Sequence, residues 1–416
     1  MHVEHLSVAD YRSYPAADLA LAPGVTVLLG ANGHGKTNLL EAVHYVATLA
    51  SHRVALDAPL VRRGAERAVI RARIRRGERS ATTDVEISTG SGVRVQINRV
   101  AVPRPRRSPG LLRVVTFAPE DLAVVRGDPE GRRRFLDELL VTRSPRFAGV
   151  RLDYERIVRQ RSALLKSARA ASSAARPGVT ATLDVWDAHL AESGADLLCG
   201  RLEVLAALTP FLRGAYAEVS GQPGAADVSY VARGLGGGDG PDDGGGVAGR
   251  DEDRGQGRPD EVAVGAAAAE SPDREALRQA LLAAAAGRRQ DEIDRGSSLV
   301  GPHRDDVLLQ IGGMPVRGYA SHGESWSMAL SLRLGAFDLL RSDGEIDAEP
   351  VLILDDVFAE LDSQRRGHLA RRAATAEQAL ISAAVAADVP DLLTGATFHV
   401  SRDPKTGDSA ISPGPQ

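Results

Sequence analysis

Residues 25–43 read VTVLLGANGHGKTNLLEAV. The apolar run Val25 to Leu29 is rich in β-branched residues and stops at Gly30, which fits a buried strand. From Gly30 the chain spells G-x-x-x-x-G-K-T, and Asn38 to Val46 then carries apolar residues at helical spacing. Strand, glycine loop and helix in that order make a phosphate site. The glycines permit a tight ring of backbone N–H donors, and the helix N-terminus adds positive partial charge. The stretch assigns Gly30, Asn32, Gly33, Gly35 and Asn38 to a nucleotide, Lys36 to its β- and γ-phosphates, and Thr37 to magnesium. Composition sharpens the assignment: of 51 basic residues only Lys36, Lys166 and Lys405 are lysine, and one falls at the motif position.

At 416 residues the chain is long enough for two or three domains. Its single cysteine, Cys199, excludes an internal disulfide and suits a reducing cytoplasm. The opening MHVEHLSVADYRSY lacks the charged-then-apolar pattern of a signal peptide, and no uncharged apolar run approaches the roughly 18–20 residues that span a bilayer. A soluble, cytoplasmic protein without a membrane partner is expected. The net charge of −4 averages unlike segments. Residues 234–272 hold nine acids and three arginines, whereas residues 99–169 hold seventeen Lys and Arg against eight Asp and Glu.

Patterning predicts strands over residues 1–30, in HVEHLSVADYRSY and LALAPGVTVLLG, and again over 68–102, with a turn at Gly90 to Gly92. After Pro119 the pattern becomes helical. Asp128-Pro129 is a cap followed by a first-turn proline, and Phe135, Leu136, Leu139 and Leu140 then form one apolar face. Further helices are predicted after Pro145, from Thr180 through Trp186, Leu190, Leu197, Val204, Leu208 and Phe211, and over Asp273 to Gln290. They fit either an elongated projection or an ordinary helical subdomain. The acidic, glycine-rich stretch 234–272 has almost no large apolar residue and reads as a disordered insert. Gly312-Gly313 marks a hairpin in VLLQIGGMPVRGYA.

Two later stretches complete a candidate site. In VLILDDVFAELD, 351–362, a buried parallel strand ends in two carboxylates, which assigns Asp355 to magnesium and Asp356 to a water beside the γ-phosphate. In YASHGESWSMALSLRLGAF, 319–337, Ser321 and Gly323 precede a helix from about Glu324 to Phe337. That combination is either a plain serine-capped helix or a second anion site. A chain that already has a phosphate loop has use for a second only if it serves the nucleotide of another copy.

These three motifs, in this order, resemble the ATPase heads of the ABC superfamily, and more closely its SMC-like branch. With DYRSY, FAPEDLAVVRGDPEGRRRFLDELL (117–140) and LVGPHRDDVLL (299–309), the chain resembles the RecF family of DNA replication and repair proteins over nearly its whole length. The resemblance implies an α/β fold: an ABC-type head built from residues 1–115 and 297–404, a mainly helical arm over 116–296, and a flexible tail over 405–416. It implies Lys36 and Thr37 as Walker A residues, with Lys36 and Asp356 catalytic and Asp355 on Mg2+. Ser321, Gly323 and Glu324 fall in the signature, Glu360 and Asp362 in the D-loop, and Arg12 at a nucleotide-adjacent position. It also implies ATP as ligand, an ATP-dependent homodimer that clamps gapped or junction DNA, slow hydrolysis, nucleoid association, and RecR and RecO as partners in recombinase loading, repair and the SOS response. The chain departs from related heads at Ser325-Trp326-Ser327 after the signature, at Ser382 where many have histidine, and at Asp356 where transporters have glutamate. All three departures point to a slow switch.

DNA contact is expected from the arginine excess, with Arg104, Arg106, Arg107, Arg132, Arg133, Arg134 and Arg146 as candidates, unless Arg132 to Arg134 brace a helix. The rival readings are a transporter nucleotide-binding subunit, opposed by the long gap between motifs, and a small-molecule P-loop kinase, which has no use for Ser321 to Gly323.

Overall fold

A computed structural model of the chain describes residues 1–90, 92–107, 111–170, 176–235, 261–265, 273–343 and 348–414. In chain order, β1 (His2–Tyr11) and β2 (Tyr14–Ala20) form a hairpin, β3 (Gly24–Leu29) leads through the glycine loop to α1 (Lys36–Thr48), and β4 (Arg67–Arg76), β5 (Arg79–Ser88), β6 (Gly92–Ile97) and β7 (Val100–Ala101) follow as a meander. Next come β8 (Val114–Phe117), α2 (Leu122–Arg126), α3 (Pro129–Arg143), α4 (Phe147–Ala170), α5 (Arg176–Ser220), β9 (Ala226–Arg233), β10 (Glu261–Gly265), α6 (Arg274–Gly287) and α7 (Arg289–Arg295). The last part holds β11 (Asp306–Ile311), β12 (Met314–Pro315), α8 (Val316–Tyr319), α9 (His322–Ser342), β13 (Val351–Asp355), α10 (Ser363–Thr375), β14 (Gln378–Ala383), β15 (Gly395–Arg402) and β16 (Ser409–Pro413).

The central sheet, ordered β16-β15-β3-β14-β13-β8, is parallel apart from the antiparallel β16. Its strands β3, β14, β13 and β8 are buried on both faces because each face meets a different core, and the pleat divides the residues between them. Along β13, Leu352 and Leu354 join the helical core with Phe135, Leu208 and Phe337, while Val351 and Ile353 join α1 and the antiparallel sheet β2-β1-β4-β5-β6-β7. The adjoining strands divide in the same way, with Phe117 and Ile381 on the helical side and Val114 and Leu380 on the other.

In the arm, α5 packs against α4, α6 and α9. The buried Arg161 of α4 donates to Asp187 of α5 (2.7 Å), Glu292 of α7 (2.5 Å) and Ser298 (2.9 Å), tying three segments together. The stretch around GPHRDD serves the same end. Arg201 pairs with Asp137, while Asp305 accepts from the Tyr230 hydroxyl and the Arg233 amide.

Three expectations are corrected. The stretch LALAPGVTVLLG is not one strand: its start ends β2 in the antiparallel sheet, and β3 begins at Gly24 in the central one. The segment 116–296 is mainly helical, and its one long strand, β9, pairs with β11 from beyond its boundary. Within the insert, Glu261–Gly265 is a strand paired with β9, whereas 236–260 and 266–272 lie outside the described residues. The tail is not free either, since Ser409–Pro413 pairs along β15. Isolated short segments give no periodicity signal strong enough to reveal such edge strands; they form because a neighbour offers an unpaired ladder.

Candidate nucleotide site

The glycine loop is held from behind by strands distant in sequence. A Cβ at Gly30 would lie 2.2 Å from the Val400 carbonyl oxygen of β15, so only glycine fits there. Gly35, at φ 109°, combines a left-handed backbone with contact: a Cβ would meet the Ser409 hydroxyl at 2.6 Å. Ser409 in turn donates to the His34 carbonyl (2.6 Å) and lies 2.7 Å from the Ser13 hydroxyl, from which it can accept, and the Tyr14 hydroxyl donates to the Gly35 carbonyl (3.2 Å). The β1–β2 turn and β16 therefore shape the loop.

Inside this frame, Lys36 folds its ammonium over the loop and donates to the Gly30 carbonyl (2.6 Å), the Ala31 carbonyl (3.3 Å) and Asn32 Oδ1 (3.4 Å). Burial pushes its pKa down, and the carboxylates of Asp356 and Asp355 oppose that shift. Thr37 and Ser382 both donate to Asp355 Oδ1, at 3.0 and 2.6 Å. Burial pushes the Asp355 pKa up, with Ser382 and Thr37 holding it back. Asp356 adopts a left-handed backbone (φ 54°), and its amide donates to the Ser382 hydroxyl at 2.9 Å. One serine thus orients the buried carboxylate and anchors the strained residue beside it. A hydroxyl and a carboxylate 3.0 Å apart are the hard oxygen donors that Mg2+ takes. No group of three or more His, Cys, Asp or Glu suited to a metal occurs among the described residues, so water and phosphate oxygens would complete the ion's shell.

Arg12, Lys36, Thr37, Asn38 and Asp356 face one cleft of about 760 Å³. Arg12 is held there by Glu41, which accepts from its Nε (2.8 Å) and Nη2 (2.6 Å) and from the Ser51 hydroxyl (2.5 Å). Burial raises the Glu41 pKa, but Arg12 and Ser51 outweigh it and hold the carboxyl below its ordinary value. Asn38 donates to Ser13 (2.8 Å) and accepts from Arg53 (3.1 Å).

Ser321, Gly323 and Glu324 do not line this cleft. They form a capping box at the start of α9: the Glu324 amide donates to the Ser321 hydroxyl at 3.2 Å, and the Ser321 amide to the Glu324 carboxylate at 2.8 Å. Asp362 caps α10 by accepting from the Arg365 amide (2.9 Å), and the exposed Glu360 ends the short turn before it. The site residues therefore fall into two groups on one chain.

The arginine candidates divide. Arg132 is corrected: it is buried, its Nε and Nη2 donate to the Asp306 carboxylate at 2.7 and 3.0 Å, and it cannot reach a DNA phosphate. Arg133 donates to the Asp305 carbonyl (2.6 Å), Arg134 pairs with Glu130 (3.1 Å), and Arg106 pairs with Asp57. Arg104 and Arg146 are exposed, the latter 4.8 Å from the Phe147 ring centroid; the Arg107 side chain lies outside the described residues. Sequence reasoning missed Ser13, Tyr14, Glu41, Arg53 and Ser409. Ser13 and Tyr14 carried a signal as part of DYRSY, and Glu41 and Arg53 as charged residues after a phosphate loop; Ser409 carried none.

The chain matches the RecF/RecN/SMC N terminal domain over residues 2–389. It is 54% identical over 401 residues to the DNA replication and repair protein RecF of Frankia alni, covering 96% of this chain and 98% of that protein. It is 53% identical over 419 residues to the protein of the same name from Kineococcus radiotolerans, covering 99% of each. Among solved structures, that of the recombination mediator protein RecF-ATPrS in the RecFOR pathway superposes with a TM-score of 0.80 at 22% identity, over 99% of this chain and 98% of that one. An Smc head bound to the C-winged helix domain of ScpA superposes with a TM-score of 0.50 at 13% identity, over 99% and 97%. No helix among the described residues is long and apolar enough to cross a membrane.

Proposed function

The chain belongs to the RecF family of DNA replication and repair proteins, and on that premise we propose that it is an ATP-gated DNA clamp. ATP and Mg2+ occupy the cleft: Lys36 neutralises the β- and γ-phosphates, Thr37 and Asp355 hold the ion, and Asp356 accepts a hydrogen bond from the attacking water. The ion supplies charge neutralisation across the phosphates. Ser321 and Gly323 approach the nucleotide of a second copy, so two heads close over two nucleotides. A ligand that contacts only the closed dimer drives closure by mass action.

The observation that carries this reading is the separation of the two groups of site residues on one chain, with Ser321 and Gly323 outside the cleft that holds Lys36, Thr37 and Asp356. In the reading, the head comprises 1–115 and 297–404, and closure aligns exposed arginines such as Arg104 and Arg146 along gapped or junction DNA. Slow, DNA-stimulated hydrolysis reopens the dimer. RecR and RecO are its partners on the cytoplasmic nucleoid, where the clamp helps to load recombinase.

The test is mass in solution, by sedimentation, for wild type and Ser321→Arg, with and without ATP, Mg2+ and gapped duplex DNA. The expected result is a wild-type dimer that requires ATP and is absent in Ser321→Arg. A monomer under all conditions, or equal dimerisation of both proteins, overturns the clamp.

A further inference from the structure

Arg365, on the first turn of α10, lies between two motifs that are about forty residues apart in sequence. Its Nε donates to the buried Ser327 hydroxyl of α9 at 2.8 Å, its Nη1 pairs with the Asp362 carboxylate, and its backbone amide caps onto the same carboxylate at 2.9 Å. The guanidinium rests against Gly323: a Cβ there would lie 3.2 Å from Nη2 and 3.6 Å from Nη1. A side chain at this glycine would press the guanidinium away by a few tenths of an ångström. On the other flank of the same turn, Arg126 donates to Ser325 (3.0 Å) and the Trp326 indole donates to His322 (3.1 Å). Both flanks are braced, and Arg365 is the brace that also holds Asp362.

We infer that Arg365 is a positioning residue that locks the Ser321–Gly323 turn and the Asp362 turn into one rigid surface, presented as a unit to a second copy of this chain. The inference rests on the ATP-dependent dimer proposed above. A planar guanidinium can bond one helix through Nε and another segment through Nη at fixed spacing, whereas a lysine ammonium offers one flexible point. Surfaces already ordered lose less conformational entropy when two chains meet. Without Arg365 each turn would be ordered separately at the moment of closure. Arg365 does not line the nucleotide cleft of its own chain, so its effect on nucleotide capture and its effect on closure are separable.

The experiment pairs two measurements on the full chain. A fluorescent ATP analogue reports nucleotide affinity at protein concentrations where no dimer forms, and sedimentation with ATP and Mg2+ reports the dimer dissociation constant. Arg365→Ala is expected to keep nucleotide affinity within about twofold while weakening dimerisation roughly tenfold or more, as for a lost charge-assisted hydrogen bond at a contact surface. Arg365→Lys, which keeps the charge and the helix, carries the same expectation and decides the matter if the alanine variant does not fold. Ser327→Ala should weaken dimerisation in the same direction, and the double variant should be no worse than Arg365→Ala alone. Wild-type dimerisation by both Arg365 variants, strict additivity with Ser327→Ala, or a parallel loss of nucleotide affinity overturns the inference. A wild-type chain that never dimerises overturns the clamp reading, and this one with it.

Discussion

The nucleotide cleft and the capped start of α9 carry the same kind of hardware, a helix N-terminus with a hydroxyl and a glycine, yet they are built differently. At α1 the glycine loop is clamped from behind by Ser409, Ser13 and Tyr14, and the adjoining carboxylate Asp355 is buried and hydrogen-bonded twice. At α9 the Ser321 hydroxyl is exposed and satisfied by its own helix. The first site is preorganised by contacts within one chain. The second is a surface whose serine can exchange a local cap for an external ligand at little cost. In the clamp reading, that difference assigns capture of nucleotide and response to it to separate regions.

The largest expected effect tests the preorganised side. Lys36→Arg keeps the charge but cannot fold a compact ammonium over the loop, so ATP turnover should fall by about 100-fold or more; steady-state phosphate release checks it, and near-normal release would break the contrast. Next, Arg132→Ala strips the half-buried Asp306 of its bidentate partner, leaving it the Val307 amide and the longer contact to Arg233, and should lower unfolding free energy by about 1–3 kcal/mol. Arg146→Ala, at an exposed site, should change stability by less than about 0.5 kcal/mol. Urea unfolding of both variants, set beside their affinities for gapped DNA, separates bracing arginines from those open to phosphate.

The clamp behind the loop is tested by Gly35→Ala, which forces a side chain into a left-handed backbone and against Ser409. A loss of about 1–3 kcal/mol in thermal unfolding, with weaker nucleotide binding, is expected. Removal of residues 409–416 should weaken nucleotide binding in the same way, and unchanged affinity would show that β16 is not part of the frame.

The smallest effect is a pH dependence. The Glu41 carboxyl, held below its ordinary value by Arg12 and Ser51 against the opposing effect of burial, contributes stability that is fully present above its unfolded value of 4.5. That contribution is lost as pH falls through the lower, folded value. In Glu41→Gln the slope of melting temperature against pH below about 4.5 should flatten.

Much of this was legible because it is local. The run from Val25 to Val46 contains its strand, its glycines and its helix within one supersecondary unit, and VLILDD announces a buried strand with carboxylates at its end. The helices of the arm followed from apolar spacing, as did the face built on Phe135, Leu136, Leu139 and Leu140. Which arginines are tied up was not legible: three adjacent residues, Arg132 to Arg134, face the half-buried carboxylate of Asp306, a backbone carbonyl and solvent-exposed Glu130 because α3 turns about 100° per residue against a neighbour its sequence does not name.

The sequence by itself determined the phosphate loop, the buried strands and the amphipathic helices, which are encoded over spans of five to twenty residues, and the resemblance of its motifs implied an ATPase-type head with an inserted arm. Tertiary structure decided that Ser409 and Ser13 shape the loop, that Ser382 orients Asp355 and Asp356, and that Arg365 joins Gly323 to Asp362. Those contacts link positions up to 396 residues apart, as between Ser13 and Ser409. Their physical basis is strand pairing and steric fit at close approach, which come into being only when the central sheet has formed.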